Sequence, residues 1–410
     1  MISFKNKIFL LILVFQLLGL HSGFSRPVKA NCFFLLSDKT NNSILIFLND
    51  PGNNNRDSAL VYVSNGLEKN NLHNYHDAII YFTKALELDS SIVSAYINRA
   101  YAKNQLLDYH SAIKDYDRAL KLKLTWEESY EIHFNKALTL ISLNNLKGAM
   151  AGFNYALKIN PDFADAYYNR SILRGMTGDY EGELKDINKV ISLRPNNAEA
   201  YNSRGIVKSI IGSTSGALED FTKAISLDKT NANSFFNRGL IYFQQKKYSE
   251  ALKDFNVVIQ MKPDVEVYNR RANVKCRLND YRGAFEDYNN AIKINPSDYL
   301  AYLNRGQLKY DLKDYQAAID DYTKAIEFNP SCPQIFFYRG LAKRQLKDRA
   351  GEIKDYSFAI EFKPNFDNAY KERGLAKYEL GDKTGGCEDL NTAAKYGNDT
   401  AYNYLIEHCK

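Results

Sequence analysis

Residues 299–332 read YLAYLNRGQLKYDLKDYQAAIDDYTKAIEFNPSC. In this stretch Tyr302 is followed four positions later by the small residue Gly306. A second run places Ala318 four positions before Tyr322, and another alanine three positions after it. Spacings of three and four put side chains on one face of a helix. The stretch therefore predicts two helices that approach each other through small residues, with an aromatic ring filling the layer beside them.

The same pattern returns along the chain with a period of about 34 residues, from residue 59 to residue 398. The second-helix triplets are Ala78-Phe82-Ala85, Ala112-Tyr116-Ala119, Ala149-Phe153-Ala156, Glu183-Ile187-Val190, Ala217-Phe221-Ala224, Ala251-Phe255-Val258, Ala284-Tyr288-Ala291, Ala318-Tyr322-Ala325, Glu352-Tyr356-Ala359 and Gly386-Leu390-Ala393. The register changes twice. Three extra residues lie near Glu127 to Ser129 and one residue is missing near Val265, and we expect loops to absorb both changes.

This pattern closely resembles the tetratricopeptide repeat (TPR), whose units read aromatic-x3-small, then small-x3-aromatic-x2-small, then proline. The resemblance implies an all-α fold, a right-handed superhelical solenoid of helix-turn-helix units. Ten units are predicted, at 59–92, 93–126, 130–163, 164–197, 198–231, 232–264, 265–298, 299–332, 333–366 and 367–398. Because a terminal repeat has no outer neighbour, we interpret residues 399–410 as a capping helix.

The amino terminus does not follow the repeat. Lys5 and Lys7 precede an apolar run from Ile8 to Leu20, the order typical of a secretory signal. We interpret residues 1–30 as a cleaved signal, with cleavage after Ser25 or Ala30, and an uncleaved membrane anchor is the alternative. Residues 31–58 are expected to form a poorly ordered leader.

An arginine and an aspartate recur at fixed positions in most of the repeat units. Arginine precedes the small residue of the first helix and aspartate precedes the aromatic residue of the second. The pairs are Arg99 and Asp115, Arg170 and Asp186, Arg204 and Asp220, Arg238 and Asp254, Arg271 and Asp287, Arg305 and Asp321, Arg339 and Asp355, and Arg373 and Asp389. Units one and three lose both partners together, so we predict a contact within each unit. A basic ladder for an acidic ligand is the alternative.

In TPR proteins the first helices line a concave groove that binds a partner. By this resemblance the candidate groove residues are Tyr101, Phe134, Tyr168, Asn202, Phe236, Leu240, Phe243, Asn269, Asn273, Leu303, Gln307, Tyr310, Phe337, Leu341, Arg344 and Tyr378. A mixed apolar and amide lining is typical of a peptide-binding surface. The alternative is that several of these side chains pack between neighbouring units.

The five cysteines form no Cys-x-x-Cys pair, so neither a zinc site nor a thioredoxin-like site is indicated. If the protein is exported, Cys387 and Cys409 could form a disulfide that pins the capping helix, and two free thiols are the alternative. The net charge of +6 over 410 residues does not by itself suggest nucleic acid.

No nucleophile, base and orienting group converge in the sequence, and no metal or cofactor motif is present. We therefore expect no catalytic residue, no metal and no cofactor. The predicted function is a non-enzymatic scaffold, periplasmic or secreted, that binds a protein or peptide partner. A membrane-anchored assembly or regulatory factor is the alternative, and an RNA-binding helical repeat ranks behind both.

Overall fold

The structure, a computed structural model, describes residues 54–409. These residues form 21 helices and contain no strand. The predicted signal over residues 1–30, its alternative as an anchor and most of the leader lie outside the described residues. The described chain divides into two compact bodies, one ending at Asp228 and one beginning at Lys229.

The N-terminal body contains five helix pairs. The helices are α1 (Asn54–Asn71), α2 (Tyr75–Leu88), α3 (Val93–Gln105), α4 (Tyr109–Ala119), α5 (Trp126–Ser142), α6 (Leu146–Ile159), α7 (Ala164–Met176), α8 (Tyr180–Leu193), α9 (Ala198–Ile210) and α10 (Thr214–Leu227). We number the pairs in chain order, so that α1 and α2 form pair 1 and α9 and α10 form pair 5.

The C-terminal body contains pairs 6 to 10 and one further helix. These are α11 (Ala232–Gln244), α12 (Tyr248–Met261), α13 (Val265–Arg277), α14 (Tyr281–Ile294), α15 (Tyr299–Asp311), α16 (Tyr315–Phe328), α17 (Pro333–Gln345), α18 (Arg349–Phe362), α19 (Asp367–Glu379), α20 (Lys383–Lys395) and α21 (Asp399–His408). The last helix packs against α20 and buries Ala401.

Capping side chains begin most of the second helices. Asp108, Asp179, Asp314 and Asp348 each accept a hydrogen bond from a backbone N–H in the first turn of the helix that follows. A carboxylate there satisfies an unpaired donor and complements the positive end of the helix dipole. In these pairs the caps fix the residue at which the second helix begins, directly after a short turn.

Small residues and rings hold the two helices of a pair together. Within pair 5, a Cβ atom added to Gly205 would lie 2.7 Å from the ring of Phe221. In pair 9, a Cβ atom added to Gly340 would lie 2.6 Å from the ring of Tyr356. Any larger side chain would force the helices apart, which explains the small residue four positions after the first aromatic.

Two boundaries differ from the expectations. Residues 54–58, assigned to the leader, form the start of α1. The three extra residues near Glu127 are helical: α5 has 17 residues, whereas α7 has 13. Thr125 and Glu128 form a capping box that stabilises this additional turn, so a helix absorbs the insertion instead of a loop. The missing residue near Val265 shortens the connection between α12 and α13 to residues 262–264.

Candidate partner-binding surface

The repeated arginine and aspartate lie in direct contact in the eight pairs that carry them. The arginine Nε and one terminal nitrogen donate to the two carboxylate oxygens at 2.6–2.9 Å in Arg99–Asp115, Arg170–Asp186, Arg204–Asp220, Arg238–Asp254, Arg271–Asp287, Arg305–Asp321, Arg339–Asp355 and Arg373–Asp389. This two-pronged geometry is the strong form of a charge-assisted hydrogen bond. The arginines therefore have structural partners and do not form a free basic ladder.

The same aspartates contact a second basic residue, which the sequence analysis missed. It lies four positions after the arginine, one helical turn further along the same face. The contacts, at 2.6–3.0 Å, are Lys103–Asp115, Arg174–Asp186, Lys208–Asp220, Lys275–Asp287, Lys309–Asp321, Lys343–Asp355 and Lys377–Asp389. In pair 6 this position holds Tyr242, and the guanidinium carbon of Arg238 lies 5.8 Å from its ring centre. The 34-residue recurrence of these bases was the signal that could have revealed them.

The arginines also join neighbouring pairs. Their remaining terminal nitrogen donates to the residue that follows the middle residue of the second-helix triplet in the preceding pair. These bonds, at 2.6–3.2 Å, are Arg99 to Thr83, Arg170 to Asn154, Arg204 to Asn188, Arg271 to Asn256, Arg305 to Asn289, Arg339 to Thr323 and Arg373 to Ser357. Each such arginine thus joins the two helices of its own pair and also contacts the pair before it.

Pair 3 lacks both the arginine and the aspartate of the motif, and its basic residue pairs with a carboxylate of another pair. Its Lys136 donates to Asp117 of pair 2 at 2.5 Å. Asp117 occupies the position that elsewhere holds threonine, serine or asparagine, and Gly152 replaces the aspartate of pair 3. The basic residue of this pair therefore finds its carboxylate in the neighbouring pair.

The first helices of successive pairs also touch one another: α1 contacts α3, α3 contacts α5, α13 contacts α15, and α15 contacts α17. Ten of the predicted groove residues on first helices are half-buried and retain accessible surface. They are Tyr101, Phe243, Asn273, Leu303, Gln307, Tyr310, Phe337, Leu341, Arg344 and Tyr378. Within each body, these residues form the candidate partner-binding surface.

Six predicted groove residues are buried and cannot contact a partner through an exposed side chain. They are Phe134, Tyr168, Asn202, Phe236, Leu240 and Asn269. Phe134 is fully buried because its ring packs 5.8 Å from that of Phe153 and 4.8 Å from that of Phe163. Packing between layers, the alternative considered for these positions, applies to this set.

Buried tyrosine hydroxyls meet amide side chains behind this surface. In pair 7, Tyr288 donates to Asn273 Oδ1 at 2.6 Å. In pair 8, Tyr322 donates to Gln307 Oε1 at 3.4 Å, and Gln307 Nε2 donates to Asp311 at 2.9 Å. The amides thus accept hydrogen bonds from buried hydroxyls, and the Tyr288 hydroxyl also lies 3.9 Å from Cys276 Sγ.

Pair 9 differs. The Tyr356 hydroxyl and Glu352 Oε2 are both buried and have no hydrogen-bond partner among the described residues. Burial raises the pKa of both groups, with Glu372 adding to the effect at Tyr356. The other oxygen of Glu352 accepts from Arg349 at 2.9 Å.

An ion-pair network surrounds these two groups. Arg344 contacts Glu372 and Glu379, Arg349 contacts Glu352 and Glu379, and Lys371 contacts Glu372. Three cations therefore face three carboxylates, and the local charge balances.

Cys387 and Cys409 are disulfide-bonded, with Cα atoms 5.7 Å apart. The bond joins α20 to the end of α21. Cys276 and Cys332 are free thiols, and burial raises the pKa of each.

No group of three His, Cys, Asp or Glu side chains within the described residues could hold a metal ion. Among these residues, no helix combines the length and apolarity that a membrane crossing requires.

Serial helix pairs joined by one recurring contact define an all-helical repeat protein. Three family profiles match the chain: "Tetratricopeptide repeat" over residues 232–264 and 299–332, "TPR repeat" over 211–246 and 272–313, and a second "Tetratricopeptide repeat" profile over 98–164. The chain belongs to the tetratricopeptide-repeat family.

Among curated proteins, none matches this chain. Among solved structures, a tetratricopeptide repeat protein from Parabacteroides merdae is 19% identical, with 61% of this chain and 99% of that chain covered and a TM-score of 0.49. The Cut9–Hcn1 hetero-tetramer of the APC/C matches at 15% identity, covering 87% and 90%, with a TM-score of 0.48. Yeast Tom70 matches at 16% identity, covering 85% and 95%, with a TM-score of 0.46.

Proposed function

We propose that this chain is a non-enzymatic scaffold that binds a protein or peptide partner on its first helices. The observation that carries the proposal is the set of half-buried apolar and aromatic side chains that keep accessible surface on this face. Leu303, Tyr310 and Phe337 pack in part against the core, and Leu341 lies on the same helix as Phe337. All four side chains keep accessible surface on α15 and α17. TPR proteins bind protein or peptide partners, and such a surface suits an extended or helical peptide.

Peptide display on the purified full-length protein tests this function. We expect enriched peptides to lose at least about tenfold in affinity for Tyr310→Ala and Leu341→Ala, a loss of about 1.4 kcal/mol. The matched control is Ile294→Ala on α14, an apolar side chain that is 49% exposed. The proposal fails if no peptide is enriched, or if Ile294→Ala weakens binding as much as the groove variants do.

We further propose that the protein is exported. The Cys387–Cys409 disulfide supports this location, because disulfides persist in oxidising compartments. The signal-like order of residues 1–30 supports it independently. Amino-terminal sequencing of the mature protein should begin at Arg26 or Asn31. An intact amino terminus that fractionates with membranes would instead favour the anchored assembly factor.

A further inference from the structure

The last helix, α21, begins in the same way as the first helix of a pair. The Asn398 side chain accepts a hydrogen bond from the Ala401 N–H at 3.0 Å, and in pair 8 Asp298 accepts one from the Ala301 N–H at 3.2 Å. Both alanines are 0% exposed, and a tyrosine follows each of them, Tyr402 in α21. The residues of α21 can therefore be matched one by one to those of α15.

The side of α21 that carries Tyr402 differs from the same side of α15. In pair 8, a Cβ atom added to Gly306 would lie 2.8 Å from the ring of Tyr322 on the second helix. Ile406 stands at the position of Gly306 in α21, so a second helix packed as in pair 8 would clash with it. Tyr402 and Ile406 are 56% and 53% exposed. These two residues form an apolar face of α21 that suits a contact of another kind.

The exposed polar residues Asn403 and Glu407 lie on a different side of α21. They occupy the positions of Leu303 and Gln307 in pair 8, which belong to the candidate partner-binding surface. The apolar face of α21 is therefore separate from the positions that correspond to that surface.

The two ends of α21 complement each other. Asp399 is exposed in the first turn and His408 is exposed in the last turn. A second α21 in antiparallel orientation brings the carboxylate of one helix to the imidazole of the other, and it aligns the two helix dipoles favourably. Because Tyr402 and Ile406 lie two residues on either side of Tyr404, the same orientation places each tyrosine opposite the isoleucine of the other helix.

We propose that the apolar face of α21 binds a second copy of this chain, with the two α21 helices packed antiparallel about a two-fold axis. Such a contact is isologous, so one face serves both copies. The Cys387–Cys409 disulfide holds α21 in place beforehand, which reduces the entropy lost on association. This inference goes beyond the proposed function, because no peptide partner takes part in the contact.

The size of the contact determines its strength. α21 has 10 residues, and two helices of this length bury less than the about 1,200 Å² of total surface found in stable interfaces. We therefore expect a weak dimer with a dissociation constant of about 10–100 µM.

Sedimentation velocity of the full-length, non-reduced protein, from about 2 to 200 µM, tests the association. We expect the weight-average sedimentation coefficient to rise from that of a monomer towards that of a dimer. Ile406→Asp should remain monomeric throughout, with an unchanged circular dichroism spectrum because the side chain is exposed. The matched control is Leu312→Asp, at an apolar residue of the same body that is 44% exposed, and it should associate as the parent does.

A pair of charge variants tests the antiparallel orientation. Tyr402→Lys and Ile406→Glu should each lose the association when studied alone. In an equal mixture, the introduced lysine of one copy faces the introduced glutamate of the other, and the second contact of the dimer remains the native one. We therefore expect the mixture to recover the association.

A monomer at every concentration, or an association that Ile406→Asp leaves unchanged, would overturn the inference. A mixture of the charge variants that stays monomeric would exclude the antiparallel contact. Loss of association in Leu312→Asp as well would show non-specific association of apolar surface and would also count against it.

Discussion

At the scale of single residues, the aspartate before each second-helix aromatic is the centre of a charged cluster. Asp355 is 1% exposed, and it accepts from Arg339 and Lys343, which are 16% and 18% exposed. Two cations at one carboxylate share its charge, so their contributions cannot be added independently. Removing the carboxylate would leave both cations half-buried and unpaired.

We therefore expect Asp355→Asn to destabilise pair 9 by about 2–4 kcal/mol. Hydrogen exchange resolved along α17 and α18 measures this locally, which suits a repeat protein whose unfolding need not be two-state. Glu327→Gln is the control. It breaks a pair with Lys324 whose members are 51% and 55% exposed, and it should cost below about 1 kcal/mol. Equal effects of the two changes would contradict the structural role of Asp355.

Glu131 gives a pH-dependent prediction. Burial, together with Glu127 and Glu128, raises the pKa of its carboxyl to about 7. Because the folded pKa lies above the unfolded value of about 4.3, the folded state binds the extra proton between these values. Stability from this group is therefore present below about pH 4 and is lost as the pH rises towards 7.

Glu131→Gln should accordingly be more stable than the parent protein at pH 8, with no advantage at pH 4. Urea midpoints at the two pH values, followed by hydrogen exchange in α5, test this. A midpoint difference that is the same at both pH values would show that the carboxyl titrates normally in the fold.

At the scale of helices, pair 3 shows that the repeat pattern cannot be restored one residue at a time. A Cβ atom at Gly152 would lie 2.8 Å from Ala137 Cβ and 3.0 Å from the backbone oxygen of His133. The two helices approach more closely here than the usual aspartate allows. Pair 3 therefore depends on Asp117 of its neighbour for its counter-charge.

Gly152→Asp, although it matches the common pattern, should destabilise pair 3 by about 1–3 kcal/mol through overpacking. Lys136→Arg is the matched control, since it keeps the charge that faces Asp117, and its thermal midpoint should change little. Thermal unfolding of both variants, followed by circular dichroism, measures these changes in midpoint. A Gly152→Asp protein at least as stable as its parent would mean that the helices separate at low cost.

The sequence was sufficient to predict the helices of the repeat units and the contact between the repeated arginine and aspartate. Tyr302, Gly306 and Tyr322 follow a helical period, and that local signal predicts both helices of pair 8. The extra turn of α5 was not predicted, because a three-residue insertion reads equally well as loop or helix. The spacing left open whether Phe134 lines the groove or packs between units, because its burial depends on Phe163, a ring from the next connection.

At the scale of the molecule, the last helix is attached both by packing and covalently. Ala401 is fully buried against its neighbours, and Cys409 is bonded to Cys387, 22 residues earlier. A crosslink over such a loop contributes about 3 kcal/mol through chain entropy.

Cys409→Ser should therefore accelerate exchange in α21 and lower the local stability of α20 and α21 by about 3 kcal/mol. Cys332→Ser, at a free thiol, serves as the control. Denatured, non-reduced protein that retains Cys32 should titrate three thiols, the five in the chain less the two that are bonded. Five titratable thiols would exclude the disulfide.

The bond from each arginine to the preceding pair has a consequence for how such a chain can evolve. Most units carry the arginine donor on the first helix and a Thr, Ser or Asn acceptor on the second helix. Such units can therefore form this hydrogen bond with any neighbour that carries the same residues, including after a unit has been duplicated or deleted. Pair 3 breaks this interchangeability, because Lys136 is matched to Asp117. Recombination can therefore shuffle most of the array freely, while pairs 2 and 3 are expected to be inherited as one block.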